Sequence, residues 1–341
     1  MLRFLTRRQI DDDAWNRCVS EAHNALLYGH SWYLDAVTNL PDWAWEGLVQ
    51  EDVPGAYNVV VPIPLRRRWG RWVVYQPLFC QFLALFSRQP VDPTPFLQAV
   101  FDRYRYASSW QLLLDAPLFD LPLQVRCQVM HTHVLPLRTG TASYTADRRM
   151  NLRRAARQLG NVPDWQITES VDVDPLLRLF RENHAAEIGV GEWAYTLFRG
   201  VFAVVQQREL GTLQYVWAAG EIVAGALFVE QHGRLIYLFN AANAEGRRLN
   251  ARTVLIDRLI QEKQKKAPMP TSSVWPVLDF ESPDKPGVVS FYESFGAVPQ
   301  PYVVLSWSRL SWLERSGQRL LKQVKALISG RPMAVSNPQK I

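Results

Sequence analysis

A chain of 341 residues is too long for one ordinary domain and comfortable for two. Its 48% hydrophobic and 12% aromatic content supplies full-sized cores and excludes a disordered class, while a net charge of +6 favours anionic ligands without demanding nucleic acid. No apolar run approaches the roughly 18 residues of a membrane span and the first residues lack a signal-peptide core, so the expected location is the cytoplasm.

Residues 11–40 read as two helices. Asp12 or Asp13 is placed to cap the first, and Trp15, Cys18, Val19 and Ala22 form its apolar stripe. Tyr28-Gly29-His30 breaks it, and Ser31 is placed to cap a second helix. Strands follow at 43–49, 57–62 and 72–76. Arg66, Arg67, Arg68 and Arg71 crowd the tip between the last two, as a solvated loop or as a phosphate contact. The segment 75–87 is almost wholly apolar yet carries Gln76 and Gln81, and such amides either find internal partners or face a cleft. A helix at 95–106 and strands at 110–114 and 129–137 complete the first half. His131 and His133 share one face of the last strand, with no third ligand nearby, so no metal is expected. Cys18, Cys80 and Cys127 are odd in number and far apart, against a disulfide framework.

The stretch 138–146 reads as a linker. The spacing predicts a helix over 148–159 that buries Leu152, Ala155, Ala156 and Leu159. Arg149, Arg153 and Arg157 stack on another face, as a solvated ridge or one that binds phosphates or carboxylates. A strand at 165–168 and helices at 175–186 and 193–207 come next, the helices joined by a glycine loop that Glu187 and Glu192 flank. Three strands at 212–218, 222–230 and 235–240 are linked by Ala-Gly and His-Gly hairpin turns. After a helix at 251–265, residues 277–296 read as a strand, a Pro/Gly turn, and a short helix with Phe291, Tyr292 and Phe295, closed by Gly296. A last strand covers 302–307, and Leu313, Leu320, Leu321, Val324, Leu327 and Ile328 stripe a final basic amphipathic helix.

Phe291-Tyr292-x-x-Phe295-Gly296 resembles the signature of the GNAT acyltransferases. Leu278-Asp-Phe-Glu281, the Gln76–Ser87 segment, the "HSWYLDAV" helix and "RRMNLRRAARQLG" resemble a bacterial two-domain subgroup related to the Fem peptidoglycan aminoacyltransferases. The resemblance implies an α/β (α+β) fold of tandem duplicated GNAT-like domains, each a mixed, mostly antiparallel sheet flanked by helices. The expected boundaries are 1–141, 142–308, and a tail 309–341 whose helix packs back on the first domain before a disordered end.

It further implies an N-acyltransferase that moves an acyl group from acetyl-coenzyme A or another acyl-coenzyme A onto an amine in an inter-domain groove. The pyrophosphate-binding positions fall on Arg247, Arg248, Asn250, Ala251 and Arg252, with Asn250 and Arg252 where the family has glycine or alanine. Asparagine tolerates the left-handed backbone that glycine supplies there. Tyr292 takes the position of the tyrosine that protonates the leaving thiolate, or it is a core tyrosine. Asp279 and Glu281 are candidate bases for the amine, or caps of the following turn. Gln81 and the ridge Arg149, Arg153 and Arg157 are the candidate acceptor contacts, for a small-molecule or peptide amine that carries negative charge in one version. Two alternatives stand beside this reading. One is an aminoacyl-tRNA-dependent transferase acting on a peptidoglycan precursor, the only version that needs nucleic acid. The other is a catalytically silent binding protein with the same fold.

Overall fold

Hairpins with left-handed two-residue turns at Trp69-Gly70, Ala219-Gly220 and His232-Gly233 join five of the strands, because that backbone matches the twist of paired strands. The computed structural model describes residues 1–53, 55–115, 121–138, 144–184, 189, 191–266, 276–282 and 285–310. The first half contributes β1 (Leu2–Thr6), β2 (Trp43–Val53), β3 (Ala56–Arg68), β4 (Arg71–Tyr75), β5 (Phe86–Ser87), β6 (Tyr106–Leu112) and β7 (Val125–Pro136). Its helices are α1 (Asp12–Ser20), α2 (Ser31–Val37) and α3 (Thr94–Arg103). The second half contributes α4 (Ala146–Leu159), β8 (Gln166–Ser170), α5 (Asp174–Asn183), α6 (Glu192–Gln207), β9 (Gly211–Ala218), β10 (Glu221–Gln231) and β11 (Arg234–Ala242). It continues with α7 (Ala244–Arg248), α8 (Ala251–Lys266), β12 (Val277–Asp279), α9 (Pro286–Glu293) and β13 (Val298–Ser308).

The strands form one open sheet in the order β1-β2-β3-β4-β6-β13-β7-β12-β11-β10-β9-β8, with β5 beside β3. Its ladders are antiparallel except β4–β6 and β11–β12. Each half repeats the same plan, hairpins, then a helix, then a parallel strand. The last strands are exchanged: β13 runs along β6 of the first half, and β7 lies between β13 and β12. The exchange makes the halves one sheet. One core runs across them, from Trp15, Tyr33 and Phe82 to Phe198, Val201 and Tyr302. A second core under α8 and α9 gathers Leu255, Ile256, Phe280, Tyr292 and Phe295.

Several local expectations change. Asp11, not Asp12 or Asp13, caps α1, its carboxylate accepting from the Ala14 N–H at 3.0 Å. His30 occupies the cap position of α2, and Ser31 is its first residue. On α4, Ala156 is exposed while Arg148 is buried. Arg148 donates to Ser294 at 2.8 Å and Thr253 at 3.0 Å, and its guanidinium lies 4.5 Å from both the Phe291 and Phe295 rings. The arginine is therefore a tie between α4, α8 and α9. β1 and α7 carried too short an apolar pattern to be read. The expected C-terminal helix, from residue 311 on, lies outside the described residues. Among the described residues, no helix is long and apolar enough to cross a membrane.

Candidate active site

The parallel pair of the second half opens like a V. β12 ends at Asp279, opposite Ile236, while β11 continues to Ala242. Past Asp279 the chain follows β7 instead, with the Phe280 N–H donating to the His133 carbonyl at 3.0 Å. In the first half the corresponding opening is laced shut. The Gln76 side chain accepts from the Gln111 N–H at 3.1 Å and donates to the Cys80 carbonyl at 2.8 Å. Leu83 then bonds both Gln111 and Leu113 through backbone. Gln76 is thus satisfied internally. In the second half, among the described residues, the pairing of β11 with β12 simply ends at Asp279.

Glu281 follows the end of β12 with left-handed backbone, φ 45°. The residue is half-buried, but its Oε1 is fully enclosed and has no hydrogen-bond partner. Burial pushes its carboxyl up to about 8. Tyr292 packs behind it, its ring stacked on Phe280 at 4.3 Å and edge-on to Tyr237 at 6.4 Å. Burial raises the Tyr292 phenol to about 12, with Arg252 opposing and Glu281 adding to the shift. The Tyr237 hydroxyl is also enclosed and unpartnered, and burial raises its pKa strongly. Arg252, in the first turn of α8, donates to Asn240 on β11 at 3.0 Å. The structure therefore gathers Glu281, Tyr292 and Arg252 and adds Tyr237 and Asn240. An apolar strand with a polar residue at its end, the pattern of 235–240, was the available signal for Asn240.

Asp279 is placed differently. It is fully buried, and its Oδ1 accepts from Thr132 at 2.6 Å and from the Glu281 N–H at 3.0 Å. Its Oδ2 pairs with Arg234, which also donates to Gln300 at 2.8 Å. Both carboxylate oxygens are thus engaged, by residues of β7, β11 and the turn itself. Asp279 locks the strand exchange and holds the turn that presents Glu281. Ser282 is buried beside it, 2.6 Å from His133 Nδ1. His133 thus serves the turn. Among the described residues no group of three or more His, Cys, Asp or Glu could hold a metal.

The loop before α8 keeps the turn its residues suggest. Asn250 is left-handed, φ 55°, and Ala251 is buried where α8 begins. The Asn243 carboxamide caps α7 through the Gly246 N–H at 2.8 Å, and a Cβ at Gly246 would collide with the Val223 carbonyl. Arg247 donates to the Ala242 carbonyl at 2.8 Å, and Arg248 pairs with Glu245. Arg247 is thus tied to the end of β11, while Arg248 stays exposed beside Glu245. Arg149, Arg153 and Arg157 are exposed on α4, with Arg149 bonded to the Tyr144 carbonyl. The structure does not bring them to Glu281. Gln81 lies at the seam between the halves. Its neighbour Phe79, left-handed at φ 60°, packs 4.8 Å from Phe198, and Phe82 lies 5.7 Å from the Arg234 guanidinium. The Gln81 Oε1 is enclosed without a partner. Glu187 lies outside the described residues, and Glu192 is exposed and paired with Arg181 at 2.7 Å.

Residues 146–265 match the family described as the acetyltransferase (GNAT) domain. The crystal structure of FemX superposes with a TM-score of 0.59 at 9% identity, covering 86% of this chain and 96% of that one. A conserved protein of unknown function from Bacteroides thetaiotaomicron gives 0.55 at 10% identity, covering 90% and 100%. The L-PGS structure from Bacillus licheniformis gives 0.51 at 15% identity, covering 94% and 97%. No curated protein matches. Residues 146–265 therefore carry an acetyltransferase (GNAT) domain. The fold of the whole chain is the one it shares with FemX, two GNAT-like halves joined by exchanged strands.

Proposed function

We propose that the chain is an N-acyltransferase that moves an acyl group from a thioester, an acyl-coenzyme A, onto an amine held between its halves. The observation that carries this reading is the enclosed, unpartnered Glu281 carboxyl beside Tyr292, where β11 and β12 part. A carboxyl at about 8 lies close to a thiol at about 8.5. Glu281 can therefore take the proton released as the amine nitrogen bonds to the carbonyl carbon. As the carbon–sulfur bond breaks, it can hand that proton to the departing thiolate. Tyr292, at about 12, is a weaker acid than the thiol it would protonate, so its role is a hydrogen bond to the developing sulfur anion. This reverses the expected order, with Glu281 as the proton carrier and Tyr292 as the stabiliser. Asp279 is a positioning residue.

For the donor's diphosphate, the first turn of α8 supplies backbone N–H groups, the positive end of the helix dipole and Arg252, with no acidic residue in that turn. Arg247 braces the loop through the Ala242 carbonyl, and exposed Arg248 is available to the diphosphate. The enclosed Gln81 oxygen is suited to accept an N–H of the acceptor.

The test is a thermal titration of the full chain with coenzyme A. Ligand at about 100 times its dissociation constant should add roughly 2.7 kcal/mol, and Arg252→Ala should move the titration to higher concentration. No shift at saturating coenzyme A would remove this donor and leave aminoacyl-tRNA transfer or a silent fold.

A further inference from the structure

The tip of the β3–β4 hairpin reads Arg66-Arg67-Arg68-Trp69-Gly70-Arg71-Trp72, and no step proposed above uses it. β2 first meets β3 at Trp43 opposite Arg66, and β4 first meets β6 at Val74 opposite Ala107. The intervening tip therefore runs past both neighbouring strands. Trp69 and Trp72 are 40% and 43% exposed there. Trp69 holds the first turn position with φ 51°, a conformation that suits asparagine or glycine and is costly for a bulky side chain. Its ring stands edge-on to Tyr106 at 5.7 Å on one side and stays open to solvent on the other, so it is held in place while part of its apolar surface faces outward. Arg66 is steadied beneath it, its guanidinium 4.9 Å from the Trp43 ring and 5.1 Å from the Tyr75 ring.

The sheet register brings more of the same chemistry to this edge. Trp307 pairs with Ala107 on one side and with Val125 on the other, so the start of β7 lies at the same end as the tip. There Leu123 is fully exposed and Arg126 is exposed. Among the described residues no carboxylate forms an ion pair with Arg66, Arg67, Arg68 or Arg126. The result is an end of the sheet with two tryptophans, a leucine and, among the described residues, Arg67, Arg68 and Arg126 with no carboxylate ion-paired to them.

We propose that this end of the first half docks on a bilayer surface containing anionic phospholipid. Indole rings favour the headgroup region, and guanidinium groups bind phosphates through paired N–H groups. A projecting tip with apolar side chains suits shallow insertion better than it suits the groove a nucleic-acid strand would need. The surface is separate from the transferase cleft, and the proposal stands or falls independently of the reaction.

The test sediments the full chain with vesicles of phosphatidylcholine alone and of phosphatidylcholine with phosphatidylglycerol. Binding is expected only to the second, and it should weaken as salt rises. Arg67→Glu with Arg68→Glu should weaken it at least about 25-fold, from about fivefold for each arginine near an anionic surface. Trp69→Ser with Trp72→Ser should weaken it while leaving the salt dependence intact. All four side chains lie at the tip, and unchanged thermal midpoints would confirm that both variants fold. Absence of binding to anionic vesicles overturns the proposal, as does binding that neither variant changes. Transfer RNA bound through the same residues, with no vesicle binding, would overturn it in favour of a nucleic-acid surface.

Discussion

Replacing Glu281 by Gln tests the proposed chemistry and the burial that underlies it. With its carboxyl at about 8, the wild type carries only about a tenth of the active carboxylate at pH 7 and about nine tenths at pH 9. The rate at limiting substrate should therefore climb about tenfold over that range. Glu281→Gln should lose about 10²–10⁴ in rate and lose the inflection near pH 8. An inflection from the amine's own proton would survive the change, so the two sources separate. Stability gives a second readout that needs no substrate. The folded value lies above the unfolded value of 4.5, so the carboxyl's contribution is full below pH 4.5 and is lost as pH rises through about 8. The melting temperature of Glu281→Gln relative to wild type should therefore rise between pH 5 and about 8 and then level off. A variant with a wild-type pH–rate profile, or within about threefold of its rate, would refute the assignment of Glu281.

Other consequences follow from the same geometry. Tyr292→Phe should slow thioester transfer about tenfold, the value of one hydrogen bond, and less so for donors with more acidic thiols; a uniform effect across leaving groups would count against a contact at sulfur. Arg234→Met leaves the Asp279 carboxylate buried without its cation, and should cost about 3–5 kcal/mol by urea unfolding. Restoring an apolar pair with Asp279→Leu should recover part of that loss, and no recovery would argue against an ion-pair origin. His30, buried at the seam, donates from Nδ1 to the Asn16 Oδ1 at 3.3 Å, which leaves the one lone pair of Nε2 facing His232 at 2.8 Å and Gln231 at 3.1 Å. Burial, then His232 and Arg208, lowers it from 6.5 to about 3. The unfolded chain binds that proton first, so stability should be full above pH 6.5 and fall as pH drops toward about 3. His30→Asn should flatten that slope in denaturant titrations between pH 4 and 7.

Period and turn chemistry were enough for the succession of elements. The pairs Ala219-Gly220 and His232-Gly233 are left-handed turns as their residues suggest, with φ from 51° to 80°. Asn250 and Gly296 took the backbone expected of them, for the same reason: local sterics decide which residue tolerates positive φ. The motif helix and the strand before it were legible because their apolar spacing is local. Three things were not. Burial separated Gln76 from Gln81, since one amide reaches Gln111 and Cys80 across the fold and the other reaches nothing. Packing separated Asp279 from Glu281, two residues apart in the chain. One meets Arg234 and Thr132, while the other faces an enclosed space that raises its proton affinity. Strand exchange was the third. A strand's own pattern states that it is apolar on one face or both, and says nothing about its neighbour. Only the assembled sheet places His133 of β7 against Ser282 and runs β13 along β6, joining two local repeats into one sheet with a core that spans both.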